Sequence, residues 1–564
     1  MEAATHSALA ASPALLLGVC AGLGLPAVAA SAPQCVSETA HVIAGDAEPG
    51  DVFGHSVGVD GTTLVSGAYF DDDVASGCGA AYVHVLSGGV WTQQAKLLPS
   101  DGTSFDRFGW HVDVNGDTAV VACIFGDGLA AVSGTAYVYV RSGTVWSEQA
   151  KLVSSDGASS DWFGRALAIS GDTIVVGAPQ DDDSGSNSGA AYVYVRTGTV
   201  WTEQPKLVAS DAAAGDNFGE AVAIDGDTLV VGSPYDDDLG SSSGSAYVFT
   251  RSGGVWSQQA KLLPSDGDTL DAFGWRVAVD GASAVVGAYK SGLGSSTGAG
   301  AAYVFTRSGA VWSQQAKLSA LDGASGDNFG WPVAIRGDLV AVGAPLDAPA
   351  GAGSGSAYLY ARVGAAWSEV EKLVASDAAA GDGFALSLDV DAGTIAVGAY
   401  QDDTPAGSGT GSAYVFERLP QPVAYCTAGL TSSGCSASIS GLGTPSASAP
   451  SGFTLLVGAM EGDKQGVLFY GVNGRAAAPW GASGSYLCVA PPTQRMVTQT
   501  STGTAGVCNG TMSIDWNDYR TTNPGALGAP FGAGDTVWAQ GWFRDPPSPK
   551  TTHLSNALEF VLCN

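Results

Sequence analysis

Cations are scarce in this chain. Lys and Arg number 23 against 54 Asp and Glu, giving a net charge of −31 although only 14% of the residues are charged. Phosphate backbones and anionic lipids are held by clustered cations, so nucleic acid and acidic membrane surfaces are excluded as partners; metal cations or basic groups suit the charge better. The six histidines, His6, His41, His55, His84, His111 and His553, are scattered. There is no nucleophile elbow, HExxH or phosphate loop, and no CxxC pair to suggest zinc. Beyond residue 30 nothing approaches the ~20 apolar residues of a membrane span, so no transmembrane segment is expected. The chain is therefore not expected to be an enzyme, and a hydrolase built on its abundant carboxylates is the one catalytic alternative.

What is abundant is glycine, 80 residues of 564, the composition of turn-rich β structure with little helix. Residues 1–30 read as a signal peptide, with an apolar run from Leu15 to Leu25, Pro26, and small residues Ala27-Val28-Ala29-Ala30. No Lys or Arg precedes that run, and Leu17-Gly18-Val19-Cys20 is a poor lipoprotein box. Export predicts disulfides among Cys35, Cys78, Cys123, Cys426, Cys435, Cys488, Cys508 and Cys563. Pairing is not deducible from sequence; Cys35 with Cys426 and Cys78 with Cys123 are reasonable partners.

Seven phenylalanines, Phe53, Phe108, Phe163, Phe218, Phe273, Phe329 and Phe384, recur every 55 or 56 residues, and their surroundings repeat with them. Each repeat holds four short β-branched or aromatic runs between Gly, Asp and Ser, the pattern of a four-stranded antiparallel meander, which is one propeller blade. In the fourth repeat the strands fall near Ala221 to Ile224, Thr228 to Gly232, Ala246 to Arg251 and Val255 to Leu262. Tight turns such as Asp225-Gly226-Asp227 and Arg251-Ser252-Gly253-Gly254 join the first pair and the last pair. The longer loops then emerge together on the opposite face.

The seventh repeat stops after Tyr414-Val415-Phe416-Glu417-Arg418, without an outer strand. Val36 to Asp46 aligns without gaps on Trp367 to Asp377 and predicts that the amino end supplies the missing strand, closing a seven-bladed ring without a free edge. The propeller is assigned to residues 31–419. After the stiff Pro420-Gln421-Pro422, residues 420–564 read as a disulfide-containing β-sandwich-like domain, with strands near Ala424, Gly452 to Leu455, Gly466 to Tyr470, Tyr486 to Val489 and Leu558 to Cys563. The fold class is all-β.

The Phe-Gly openings, from Phe53-Gly54 to Phe329-Gly330, and the later Gly177-Ala178-Pro179, Gly232-Ser233-Pro234 and Gly343-Ala344-Pro345 resemble FG-GAP repeats, the blades of the integrin α-subunit propeller. The terminal domain is similar to a carboxy-terminal module of exported bacterial repeat proteins. The resemblance implies an extracellular or cell-surface protein and an adhesion role. It does not carry over the family's Asp-x-Asp-x-Asp-Gly calcium loop, because the connection between the first two strands is only a few residues long.

Asp71-Asp72-Asp73, Asp181-Asp182-Asp183, Asp236-Asp237-Asp238 and Asp402-Asp403 fall in the loops between the second and third strands. Asp101/Asp106, Asp156/Asp161, Asp211/Asp216, Asp322/Asp327 and Asp377/Asp382 fall between blades. Carboxylates ~6 Å apart in water repel by about 0.7 kcal/mol, so a solvated acidic rim is the expectation. Asp71, Asp73, Asp181, Asp183, Asp236 and Asp238 are the candidates for weak calcium binding, each triad with a neighbouring interblade Asp, at the ~0.1 to 1 mM of extracellular modules; no other cofactor is implied. Arg336-Gly337-Asp338 spells an integrin-recognition tripeptide, but its sister turns place Gly and Asp there for turn geometry. Trp91, Trp146, Trp201, Trp256, Trp312 and Trp367 recur once per blade and read as packing; Trp110, Trp275 and Trp331 follow Phe-Gly in only some blades and are better ligand-contact candidates, although blade-to-blade filler is the first expectation for these too. These features predict a monomeric, secreted or surface-bound binding or adhesion module that uses its acidic loop face on a protein or glycan. A structural or anchoring component of an outer surface, attached through the terminal domain, is the alternative.

Overall fold

The alternation within each repeat becomes a four-stranded antiparallel sheet whose strands lie in chain order. Blades are numbered 1 to 7 from the repeats opened by Phe53 to Phe384. In this computed structural model the described residues are 36–292, 298–418, 423–425, 428, 435–443, 445–447, 449–480, 485–505, 507–531, 535–544 and 552–562. The expected signal peptide, the 420–422 linker, and Cys35, Cys426 and Cys563 lie outside them.

Blade 4 comprises Ala221–Asp225, Thr228–Ser233, Ser245–Ser252 and Val255–Leu262. Its second strand is buried along its whole length because successive side chains enter two different interfaces. Leu229 and Val231 pack with Val175 and Val193 of blade 3, whereas Val230 packs with Val277 and Val286 of blade 5. The repeating Phe fills the junction: Phe218 is fully buried and meets Tyr247 edge-on, with centroids 5.4 Å apart. The Phe-Gly and Gly-x-Pro glycines permit blades to approach through their backbones. A Cβ on Gly232 would lie 1.9 Å from the carbonyl oxygen of Gly274 in blade 5, and Gly219 has φ +94°. In blade 3 the outer strand ends at Glu203, just before Pro205, which has no N–H to give the ladder.

Val36–Val42 pairs antiparallel with Ser412–Arg418, from Val36 opposite Arg418 to Val42 opposite Ala413. The order in blade 7 is therefore the donated strand, Ser412–Arg418, Thr394–Ala399 and Phe384–Asp391. The ring is also closed at its centre, where Asp389 of blade 7 accepts from the Val59 N–H of blade 1 at 2.8 Å. On the short-turn face a side chain of one blade accepts from the turn glycine N–H of the next: Asn115 from Gly171, Ser170 from Gly226, Asp225 from Gly281, Asp280 from Gly337, and Asp391 from Gly61. Arg336 has no acceptor to offer at that position and pairs instead with Asp280 and Asp391 at 3.5 and 3.2 Å.

In the carboxy-terminal region a five-stranded sheet contains Val423–Tyr425, Thr552–Val561, Thr536–Arg544, Gln465–Gly471 and Thr493–Thr500 in that spatial order. It shares one core with the three strands Ser438–Gly443, Phe453–Met460 and Gly510–Asp515. Phe453, Leu455 and Val457 meet Leu468, Tyr470, Val537 and Phe560 around the fully buried Trp516, which makes a sandwich. Arg475–Trp480 and Ser485–Val489 form a separate pair. A seven-residue helix, Trp516–Thr522, opens with the Asp515 side chain accepting from the Asp518 N–H, a hydrogen-bonded N-cap. Cys435 and Cys508 form a disulfide, and Cys488 is also disulfide-bonded. The Cys78–Cys123 pairing is corrected: both are free, buried thiols.

Candidate functional site

The carboxylates of the long-loop face are organised around lysines. The outer strands of blades 1, 2, 4, 5 and 6 end in a Lys-Leu pair, and the ladder sets that lysine opposite a third-strand tyrosine, as Lys261 faces Tyr247; in blade 3 Lys206-Leu207 follows the shortened strand and Leu207 bridges to Ala191. Pairing across the ladder puts both side chains on one side of the sheet. In blade 4, Lys261 Nζ lies 2.8 Å from Asp211, 2.8 Å from Asp236 and 2.6 Å from Asp238, while Tyr247 donates its hydroxyl to Asp211 and Asp236 at 2.9 and 2.8 Å. Lys96 gathers Asp46, Asp71 and Asp73 in the same way, and Lys206 gathers Asp156, Asp181 and Asp183.

All six calcium candidates thus lie in the expected grouping, each triad with an interblade Asp, and in each group a lysine ammonium stands among the carboxylates. A divalent ion would have to displace it. Burial pushes the Asp211 carboxyl up, but hydrogen bonds from Lys261 and Tyr247 outweigh it and hold the group below the usual range. Burial likewise lowers Lys261, and its bonds to Asp211, Asp236 and Asp238 overcome this, raising it.

The uniformly solvated rim is corrected. Asp71, Asp181, Asp236 and Asp402 are buried, as are Asp106, Asp161, Asp216, Asp327 and Asp382. The first Asp of each triad accepts from the third residue's N–H, as Asp181 does from Asp183 at 3.0 Å. The second accepts from five residues on, as Asp182 does from Asn187 at 2.7 Å. The second interblade Asp accepts from three residues back, as Asp216 does from Ala213 at 2.7 Å. These are loop-closing bonds, and they explain why Asp is favoured there without a metal. The second and third members of each triad are exposed, the lysine-bound third with Asp73, Asp183 and Asp238 side chains 56%, 64% and 48% exposed.

The group varies around the ring. Lys151 holds Asp101 and the carbonyl oxygen of Asp127; Lys317 holds Asp266; Lys372 holds Asp322 and Asp347. In blade 7 His41 replaces lysine, 3.5 Å from both Asp377 and Asp402 and stacked on Tyr414. Its hydrogen bond with Asp402 raises its pKa against burial, helped by the charge of Asp377.

The periodic tryptophans pack as expected. Trp146 donates to Gln94 of the preceding blade at 2.8 Å and lies under Arg141, 5.1 Å from its ring centre. In the Arg-Gly-Asp turn, the Asp338 carboxylate is held by Arg362 at 2.7 Å, so both charged residues have partners within the ring.

The residue after each Phe-Gly departs from the repeat, and six of these positions, His55, Trp110, Arg165, Glu220, Trp275 and Trp331, meet around the long-loop end of the channel between the innermost strands, its upper end. His55 contacts Trp110 and Tyr69 at 4.8 and 4.4 Å, and Trp275, Tyr289 and Trp331 are in mutual contact at 4.7 to 5.0 Å. Trp275 is buried, whereas Trp110 and Trp331 are half-buried. Arg165 is ion-paired with the buried Glu220 and lies against Trp110 and Trp275 at 5.4 and 5.9 Å. A cavity of about 230 Å³ runs between the seven innermost strands, lined among others by His111, Asp113, Arg165, Arg276, Ser387 and Asp389. Sequence reading singled out the tryptophans here but missed Arg165, Glu220 and Arg276. Their signal was available: charged residues at positions where sister repeats carry small or aromatic ones.

Residues 36–84, 91–139, 146–194, 201–249, 256–305, 312–360 and 367–416 match the family described as FG-GAP repeat. Each matched span starts on an outer strand and ends on the third strand of the following blade, so the first begins with the donated Val36–Val42 strand. No curated protein matches the chain. Among solved structures, Saccharomyces cerevisiae Sqt1 is similar at 10% identity and a TM-score of 0.38, over 67% of this chain and 98% of that one.

Proposed function

The chain belongs to the FG-GAP repeat family, and on that premise we propose that it is an exported, non-catalytic binding or adhesion module that meets an extracellular protein or glycan with its long-loop face. One observation carries this reading: charged and apolar groups are exposed side by side on the long loops. Phe105 is 59% exposed, Leu129 62% and Leu321 86%, close in sequence to the open carboxylates of the triads and interblade loops. Such mixed, partly apolar surface is what recognition uses. The short-turn face exposes hairpin valines, with Val255 and Val311 both 68% exposed, while its polar side chains such as Asn115 and Asp225 bond the neighbouring turns.

Export is supported by the disulfide-bonded Cys435 and Cys508. No helix among the described residues is long and apolar enough to cross a membrane. The test is binding of the full chain to glycan and peptide arrays, with and without calcium, repeated with Phe105→Ser and Leu321→Ser. Ligands retained by the wild type and lost by these variants support the loop face; no ligand, or ligands indifferent to both substitutions, refutes it.

A further inference from the structure

Under the loop face, the upper channel holds more hydrogen-bond donors than acceptors. A guanidinium carries five N–H donors. Arg165 gives Nη2 to Glu220, while its Nε is buried without a partner. Arg276 gives Nη1 to the Trp275 carbonyl at 2.8 Å and stands 3.8 Å from the same Glu220 oxygen. Two guanidiniums thus share one carboxylate, leaving one positive charge in an enclosed site.

The surroundings do not compensate. Burial, reinforced by the charges of Arg165 and Arg276, pushes His55 and His111 down to about 3, so both are neutral at physiological pH. The rim carboxylates are engaged by their lysines or by loop N–H groups. A buried cationic donor without an acceptor is costly, and the unpartnered Arg165 Nε belongs to a side chain that, with the half-buried Arg276, borders a cavity.

We propose that the upper channel is a binding site for a monoanionic carboxylate, received by Arg276 and Arg165. Two carboxylate oxygens match the fork of a guanidinium. A single negative charge neutralises this layer, and a dianion would overshoot it; Asp113 and Asp389 line the same channel but are poor counter-ions, because burial pushes Asp113 up to about 8 and raises Asp389 as well. At about 30 Å³ per water in the liquid, the cavity of about 230 Å³ holds a small organic acid or the terminal uronate of a glycan, not a folded partner. This site is separate from the loop face, and its failure would leave the recognition proposal standing.

The test is titration of the full chain with galacturonate, its methyl ester, inorganic phosphate and polygalacturonate. Tryptophan emission reports the site, because Trp110 and Trp275 lie against the arginines, and the melting temperature gives a second readout needing no variant. Galacturonate should shift both readouts saturably, with the ester and phosphate at least tenfold weaker. Arg276→Gln should weaken binding roughly 10- to 100-fold, the value of bonds to a charged group, while Lys317→Gln on the rim should not. Tighter binding of polygalacturonate per chain end would identify a glycan terminus, and equal or weaker binding a free acid. Absence of any saturable response up to about 20 mM, well above weak millimolar affinity, equal binding of acid and ester, phosphate bound more tightly than galacturonate, or full affinity in a folded Arg276→Gln variant would overturn the proposal.

Discussion

Glu38 accepts hydrogen bonds from both the backbone N–H and the hydroxyl of Ser376, at 2.9 and 2.8 Å, across 338 residues of sequence. The same clasp joins Glu148 to Ser100 and Glu203 to Ser155 between consecutive blades. Glu38→Ala should therefore cost roughly 1 to 2 kcal/mol in urea unfolding, as for lost bonds to a charged group near the surface. Hydrogen exchange should localise the effect, with faster exchange in Ser412–Arg418 than in any other third strand. The sister change Glu148→Ala should leave that segment protected.

His41 makes the joint pH-dependent. Because its pKa is raised in the fold from 6.5, the stability it supplies is fully present below about 6.5 and disappears as pH rises through the higher folded value. Asp402, pushed up by burial but lowered overall by its bonds with His41 and Ser412, contributes above its unfolded value of about 3.8 and loses that contribution in acid. Melting temperature should accordingly fall between pH 6 and pH 8.5 in the wild type. Lys is the residue of blades 1 to 6, so His41→Lys should flatten that slope.

Calcium sensitivity should appear when a lysine is removed. In Lys261→Met the carboxylates of Asp211, Asp236 and Asp238, whose oxygens lie within 4.8 Å of one another, lose their internal cation. The variant should melt earlier than the wild type in EDTA and regain stability in about 5 mM calcium, consistent with a weak extracellular-type site. A smaller calcium shift in the wild type is expected, because the ammonium must first move.

Cys78 and Cys123 should resist alkylation in the native protein. Burial, with the charges of nearby acids, pushes Cys78 up to about 11 and raises Cys123 further out of the reactive range, and the thiolate is the reactive form. Peptide mass spectrometry after an N-ethylmaleimide pulse should find both unmodified at neutral pH, and both labelled after denaturation without reductant.

The ring was legible because each of its rules is written seven times. Phe218 could be assigned to the core from its period alone, and the donated strand from its alignment with Trp367 to Asp377. The lysine clusters were less visible: Lys261 looks like one more residue of an outer strand until the register sets it opposite Tyr247. Loop carboxylates such as Asp216 read as solvated because sequence does not reveal which backbone N–H they cap. Arg165, Glu220 and Arg276 come together only across different blades, a proximity that no local pattern encodes. In the terminal domain nothing repeats, so strands such as Ser438–Gly443 and Thr493–Thr500, and the helix capped by Asp515, passed unnoticed.

The pairing of Val36–Val42 with Ser412–Arg418 has a cost during synthesis. Among the propeller strands the one made first is the last to find its place, and at ~5 to 20 residues per second it waits roughly 20 to 75 seconds for its partner. Through that interval both the orphan strand and the unfinished stack of blades are open to mispairing with other nascent chains. A holding chaperone is thus most valuable to this protein at its amino end, until Arg418 has emerged.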